Sequence, residues 1–250
     1  MNAGIVTDKN QGSQTMNRLL PLAIDKLVFS TGQEQLLCNI EAQITDNGIS
    51  VIMGHNGAGK SVLLRCLNGL LPPTSGSITW GGKDASLIAI RQQQTMVFQK
   101  PLLLNRSVAA NIRYVLKLRG KPVSLSAHFL ESAGLADKHA QPARALSGGE
   151  QQRLAMARAM ATEPSVLLLD EPTANLDPVA TQLIEATVLS AKQQSIKVIM
   201  VTHDVAQAKR LADEVLFLDT GTLTEHSASE QFFTRPASKA AREYLAAYLS

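Results

Sequence analysis

ISVIMGHNGAGKSVLLRCLNGLL, residues 49–71, decides how the rest of the chain is read. The stretch opens on a continuous apolar run, passes through three glycines and closes on good helix formers. An unbroken apolar run suits a strand buried on both faces of a parallel sheet. The middle, GHNGAGKS over 54–61, fits the phosphate-binding pattern G-x-x-x-x-G-K-[ST], and the strand before and helix after are the context that pattern needs. Gly54, Gly57 and Gly59 let the backbone curl so that N–H groups point inward at phosphate oxygens, with His55, Asn56 and Ala58 completing the loop. Lys60 brings a positive charge to the β- and γ-phosphates, Ser61 can ligate Mg²⁺, and Val62 leads into the helix. His55 falls on a variable position and is read as exposed, with no chemistry of its own.

Two further runs have the same character: SVLLLDEP over 165–172 and KVIMVTHD over 197–204. In open α/β sheets, ligands bind beyond the carboxyl ends of the strands. An acidic pair closing a buried run is unfavourable unless it is used. Alone, Asp170 and Glu171 would read as solvated carboxylates; beside the 54–61 loop, Asp170 orients Mg²⁺ and its waters and Glu171 polarises an attacking water as general base. A lone histidine is usually structural or solvated. His203 leaves the third such strand next to the expected phosphates, where it can donate a hydrogen bond to the γ-phosphate or hold the water.

LSGGEQQRLAMARAMA over 146–161 places Ser147 as an N-cap, with Gly148 and Gly149 directly ahead of a helix-forming run. Bare glycines at a helix start offer backbone N–H groups to an anion. By itself this is an ordinary loop-to-helix cap.

Composition bounds the alternatives. The chain has 250 residues, 45% of them hydrophobic, and 24 Lys and Arg against 21 Asp and Glu give a net charge of +3. Mixed charge argues against a dedicated nucleic-acid binder. Cys38 and Cys66 form no CxxC pair and read as buried reduced thiols. No apolar run approaches the ~18 residues needed to span a bilayer. Residues 1–17 carry no basic stretch followed by an apolar core, so a flexible extension is expected rather than a signal peptide. LAIDKLVFS, QLLCNIEAQI and GSITWGG are short, partly alternating runs that predict an antiparallel edge sheet. Residues 108–144 read as mostly helical, with loops at RGKPVS and AGLADK.

Taken in order, GHNGAGKS, LSGGE, LLLDEP and THD resemble the ATP-binding subunit of ABC transporters, over roughly residues 19–250. Gln99 in VFQKP resembles the family's Q-loop, and ANLD over 174–177, ending in Asp177, its D-loop. The resemblance implies an α/β P-loop NTPase of the ABC type over 18–250: a mostly parallel core sheet, an antiparallel β subdomain and a helical subdomain about 100–160. It implies ATP and Mg²⁺, with Ser61, Gln99 and Asp170 at the metal and Glu171, His203 and Gln99 serving hydrolysis. It implies a head-to-tail homodimer in which Ser147, Gly148, Gly149 and Glu150 of one chain meet ATP held by the other chain's loop, with Asp177 nearby. It further implies integral membrane permease subunits, an extracytoplasmic solute-binding protein reached through them, no nucleic acid, and a peripheral location on the cytoplasmic face of the inner membrane.

Two positions depart from the family pattern. Glu150 stands where the signature often has Gln, which leaves the Ser-Gly-Gly contact intact. The family places an adenine-stacking aromatic at what is here Thr31; Phe29, two residues earlier on the same strand face, is the candidate substitute, and otherwise no residue stacks on the base. MVFQKPLLLNRSVAANIRYVLKLRG over 96–120, with VTHDVAQAKRLADEVLFLDTGTLTE over 201–225 and QFFTRPAS, most resembles the ATPase of bacterial tungstate importers, with phosphate, molybdate and polar amino-acid importer ATPases as alternatives. A DNA-repair or translation ABC ATPase would carry a coiled-coil insertion or a second ATPase, and the interval from Ser61 to Ser147 leaves no room for the former. A mechanical regulator working through a membrane partner stays open. Phe232, Phe233, Tyr244 and Tyr248 are read as packing the C-terminal tail onto the domain.

Overall fold

The computed structural model describes residues 19–249, so the extension expected over 1–17 lies outside the described residues. The chain begins with β1 (Leu22–Thr31) and β2 (Glu34–Ile44), then enters β3 (Ile49–Met53) and α1 (Lys60–Leu67). β4 (Ser75–Trp80), β5 (Lys83–Asp84), the short α2 (Ile88–Arg91) and β6 (Gln94–Val97) follow. Three helices come next: α3 (Val108–Leu118), α4 (Ser126–Ser132) and α5 (Gly148–Met160). The remainder alternates as β7 (Val166–Asp170), α6 (Pro178–Gln193), β8 (Lys197–Val201), α7 (Val205–Leu211), β9 (Glu214–Asp219), β10 (Thr222–Ala228), α8 (Ser229–Thr234) and α9 (Lys239–Leu249).

Two sheets result. The smaller is antiparallel, in the order β2-β1-β4-β5, and the larger runs β10-β9-β3-β8-β7-β6. In the larger sheet only the β9–β10 pair is antiparallel. Every residue of β3, β7 and β8 is buried. The reason is that alternate residues feed two separate cores. Ile52, Leu168, Ile199 and Leu216 face the α1 side, packing with Leu63, Leu64, Leu67 and the antiparallel sheet. Val51, Leu167, Leu169, Met200 and Phe217 face the other side, against residues of α5, α6, α7 and the C-terminal helices. A strand between two cores has no polar face, which is why periodicity alone could not show alternation.

The segment read as helical builds a third cluster, with Val108, Ile112, Leu116, Leu130, Leu135 and Leu154 at its centre. Ser107 starts α3 as its N-cap, accepting from the Ala110 N–H.

Polar residues tie the parallel sheet together at the N-terminal ends of its strands. Lys197, 1% exposed, donates to Asp46 O at 2.9 Å and to Glu214 Oε1 at 3.2 Å. Ser50 also donates to Glu214, and His226 Nε2 lies 2.8 Å from Glu214 Oε2. One carboxylate therefore gathers groups from β3, β8 and β10.

Candidate nucleotide site

The strand order brings β8 between β3 and β7. The carboxyl ends of all three therefore meet, although 54–61, 170–171 and 203 are distant in sequence. The loop after β3 takes its shape from its glycines. Gly54 has φ 145°, and a Cβ there would lie 2.0 Å from Leu218 O; Gly59 has φ 91°, and a Cβ would lie 2.7 Å from Leu36 O. Only glycine serves at both. Gly59 is also the N-cap of α1 and makes no side-chain cap bond, so no side chain competes for the first N–H groups of that helix.

Lys60 is 6% exposed and its Nζ donates to Gly54 O and His55 O, both at 2.8 Å, closing the loop under the ammonium. Burial pushes its pKa below the ordinary lysine value, opposed by the charges of Glu171 and Asp170. Ser61 Oγ donates to Asp170 Oδ1 at 2.6 Å, and Arg65 Nη2 lies 3.8 Å from Asp170 Oδ2. Glu171 turns the chain out of β7 with φ 45°, a left-handed conformation that costs a non-glycine residue about 1 kcal/mol or more. Its N–H donates to Val201 O at 3.0 Å, which holds the turn against β8. Its carboxylate accepts from Gln99 Nε2 at 3.1 Å and stands 3.2 Å from His203 Nδ1. β6 leads to Gln99, and Asp204 caps α7 directly after His203 by accepting from the Gln207 N–H at 2.9 Å.

These groups surround a cavity of about 580 Å³ whose lining includes Asn56, Gly57, Lys60, Gln99, Glu171 and His203. Its volume suits a small organic ligand. The cradle of glycine backbone, the buried ammonium and the hydroxyl–carboxylate pair fit a nucleotide's phosphates with Mg²⁺. Ser61 and Asp170 would hold the metal beside the phosphates. When bound, Mg²⁺ supplies charge neutralisation on those oxygens.

The sequence profile described as ABC transporter matches residues 37–174, more than half of the chain. The chain belongs to the ABC transporter ATP-binding family. It has the P-loop ATPase fold of that family and is an ATPase coupled to transport. The phosphate import ATP-binding protein PstB of Campylobacter jejuni is 39% identical over 230 residues, which is 86% of this chain and 93% of that protein. The methionine import ATP-binding protein MetN of Caulobacter vibrioides is 34% identical, over 87% of this chain and 69% of that protein. The solved structure of cbiO1 from Clostridium perfringens, part of the ABC transporter complex cbiONQ, matches with TM-score 0.75 at 28% identity, covering 86% of this chain and 90% of that one. An ATP-bound bacterial Atm1-family ABC exporter matches with TM-score 0.82 at 26% identity; it covers 92% of this chain, which spans only 42% of that longer one.

Within this ABC ATPase, the sequence-expected residues divide into two groups. Asn56, Gly57, Gly59, Lys60, Ser61, Val62, Gln99, Glu171 and His203 line the cavity, and Asp170 reaches it through Ser61. Gly54, His55 and Ala58 do not line it. Gly54 is pressed against Leu218, Ala58 is buried in the core, and the His55 ring turns away to sit edge-on to Tyr244 at 4.9 Å. His55 is exposed as expected, but it has a packing partner that the sequence reading did not give it.

Ser147, Gly148, Gly149, Glu150 and Asp177 are not part of the cavity lining. Ser147 caps α5, and Glu150 closes a capping box by accepting from the Ser147 N–H at 2.9 Å. The Glu150 carboxylate is also paired with Lys138 and is held down to about 2 by that bond and the Ser147 N–H. A Gln could close the same capping box; what Glu150 adds is the ion pair with Lys138. Asp177 caps α6, accepting from the Ala180 N–H at 2.8 Å, with Pro178 in the first turn. Phe29 packs partly into the core, Thr31 is exposed, and the register shift beside them places the extra residue, Leu36, in β2. Leu36 is the cavity's apolar residue from β2. Tyr244 and Phe232 are buried as read, whereas Tyr248 is 54% exposed.

Proposed function

We propose that this chain is the ATPase subunit of an importer whose cargo is an oxyanion, with tungstate and phosphate as the leading candidates. The observation that carries the hydrolytic reading is the Glu171 carboxylate, held between Gln99 and His203 at a cavity based on Lys60 and the Ser61–Asp170 pair. In this reading Glu171 accepts the proton of the attacking water, and His203 orients that carboxylate and the γ-phosphate. Lys60 binds phosphate charge, and Ser61, Asp170 and Gln99 attend the Mg²⁺.

The exposed N-terminus of α5 belongs to a second copy's site. Two chains meet head to tail, and Ser147, Gly148 and Gly149 of each close on nucleotide held by the other. ATP favours the closed form, and hydrolysis releases it. Permease subunits carry that movement across the membrane, since no helix among the described residues is long and apolar enough to cross it. A solute-binding protein on the far side delivers cargo, and the ATPase sits on the cytoplasmic face of the inner membrane. No nucleic acid takes part.

Support for an oxyanion comes from phosphate import proteins among the relatives, together with the sequence likeness to tungstate importer ATPases. A second reading, an amino-acid importer, draws on the methionine import relatives. The test is the tungsten, molybdenum and phosphorus content of cells carrying wild-type or Glu171→Gln protein, grown in trace tungstate and molybdate, with labelled methionine uptake measured alongside. A selective loss of one element in the variant names the cargo. Loss of methionine uptake alone would replace the oxyanion reading.

A further inference from the structure

The C-terminal helix reaches the nucleotide site. Tyr244 of α9 is 1% exposed, and its ring lies edge-on to His55 at 4.9 Å, a separation typical of an attractive aromatic pair. From the same side chain, the hydroxyl donates to the backbone carbonyl of His203 at 3.3 Å. Phe217 of β9 backs the ring at 5.1 Å, and Phe232 of α8 stacks behind Phe217 at 5.7 Å. Tyr244 is thus wedged into the core at one end and touches two catalytic segments at the other. Burial raises its pKa well above the ordinary tyrosine value, with Tyr248 and the charges of Glu171 and Asp204 adding to the effect. The hydroxyl therefore keeps its proton and acts as a donor.

We infer that α9 is a working part of the ATP site, with Tyr244 as a positioning residue that ties the P-loop at His55 to the strand end carrying His203. The inference rests on the role of His203 beside Glu171 proposed above. The physical argument is one of leverage. His203 is exposed, and its imidazole reaches Glu171 Oε1 only if the backbone at the end of β8 is held in one orientation. Asp204 fixes the following residue through the α7 cap. The carbonyl of His203 itself is fixed by Tyr244. Small displacements of a catalytic group lower rate far more than they lower substrate affinity.

The test uses full-length protein and steady-state ATP hydrolysis. Tyr244→Phe removes one hydroxyl and keeps the ring, so packing against His55 and Phe217 survives. We expect kcat to fall about two- to tenfold, the range for one lost hydrogen bond, with KM for ATP within about twofold and the unfolding temperature lowered by no more than about 2–4 °C. In a His203→Ala background the same substitution has no further effect on kcat, because there is no imidazole left to position. Wild-type turnover in Tyr244→Phe overturns the inference. So does a loss that adds in full to His203→Ala, or one that disappears when turnover is measured well below the unfolding transition, since either makes Tyr244 ordinary packing. Undiminished turnover in His203→Ala alone marks a different failure, that of the catalytic reading on which the inference stands.

Discussion

Ser61 Oγ donates to Asp170 Oδ1 across 2.6 Å, though 109 residues separate them in the chain. The bond joins the start of α1 to the end of β7 and points a hydroxyl and a carboxylate at the same place. Asp170→Asn keeps an acceptor for Ser61 but removes the charge. The Mg²⁺ concentration giving half-maximal ATPase rate is expected to rise about tenfold or more, as for loss of a metal-orienting group. An unchanged Mg²⁺ dependence would remove Asp170 from the metal site.

Lys60→Ala deletes both the charge and the two bonds that close the loop onto Gly54 and His55. A charge-assisted bond to phosphate is worth about 1.5–3 kcal/mol, so affinity for a fluorescent ATP analogue should fall by about ten- to a hundredfold. Equal affinity in an equilibrium titration would count against the P-loop assignment.

Glu171→Gln preserves size and can still meet Gln99, but it cannot take a proton. Nucleotide affinity should stay within about twofold while turnover drops about 10²–10⁴-fold, the usual contribution of a general base. The variant should accumulate as an ATP-dependent dimer, visible by size-exclusion chromatography with light scattering. Full turnover would strip Glu171 of its role.

Gly148 offers a cleaner probe of the composite site than Ser147. A Cβ at Gly148 meets nothing within 4 Å, whereas Ser147 caps α5 and Gly149 lies against Ala180. Gly148→Trp should therefore leave the unfolding temperature and monomer ATP binding near wild type and block ATP-driven dimerisation. A normal dimer in the Glu171→Gln, Gly148→Trp double variant would overturn the head-to-tail reading.

Glu214 sets a pH dependence for the fold itself. Burial disfavours its charge, but bonds from His226 and Ser50 and the nearby Lys197 outweigh that and lower its pKa from 4.5 to about 2. The folded value lies below the unfolded one, so its contribution is present in full above pH 4.5 and is lost as pH falls toward 2. Glu214→Gln leaves Lys197 buried without its counter-ion, expected to cost about 3 kcal/mol near neutral pH. Denaturant titrations of both proteins should show that gap narrowing between pH 4.5 and 2. A gap that is constant with pH would show that the Glu214 charge does not stabilise the fold.

Local sequence carried much of this site because local chemistry is specific. Glycines at 54, 57 and 59 permit a backbone that side chains forbid, and Lys60 and Ser61 sit one and two residues later by the geometry of a helix start. The cap at Ser147 was equally legible, since capping is a contact between neighbours. β6 was not: four residues carry too little periodicity to stand out, and it is a strand because Gln94–Val97 pair with β7. The setting of Phe29 was hidden for a related reason: the irregularity beside it lies in the pairing with β2, which β1 alone does not show.

The sequence by itself determined which residues can bind phosphate, which strands are buried on both sides, and where the helices start, because each depends on side chains a few positions apart. Only the tertiary structure decided that β8 lies between β3 and β7, and hence that His203 and Gln99 flank Glu171. It alone decided that Tyr244, far along the chain, touches both His55 and His203. Strand order and helix docking come from burying two faces of one sheet at once, and that balance is a property of the whole chain rather than of any stretch within it.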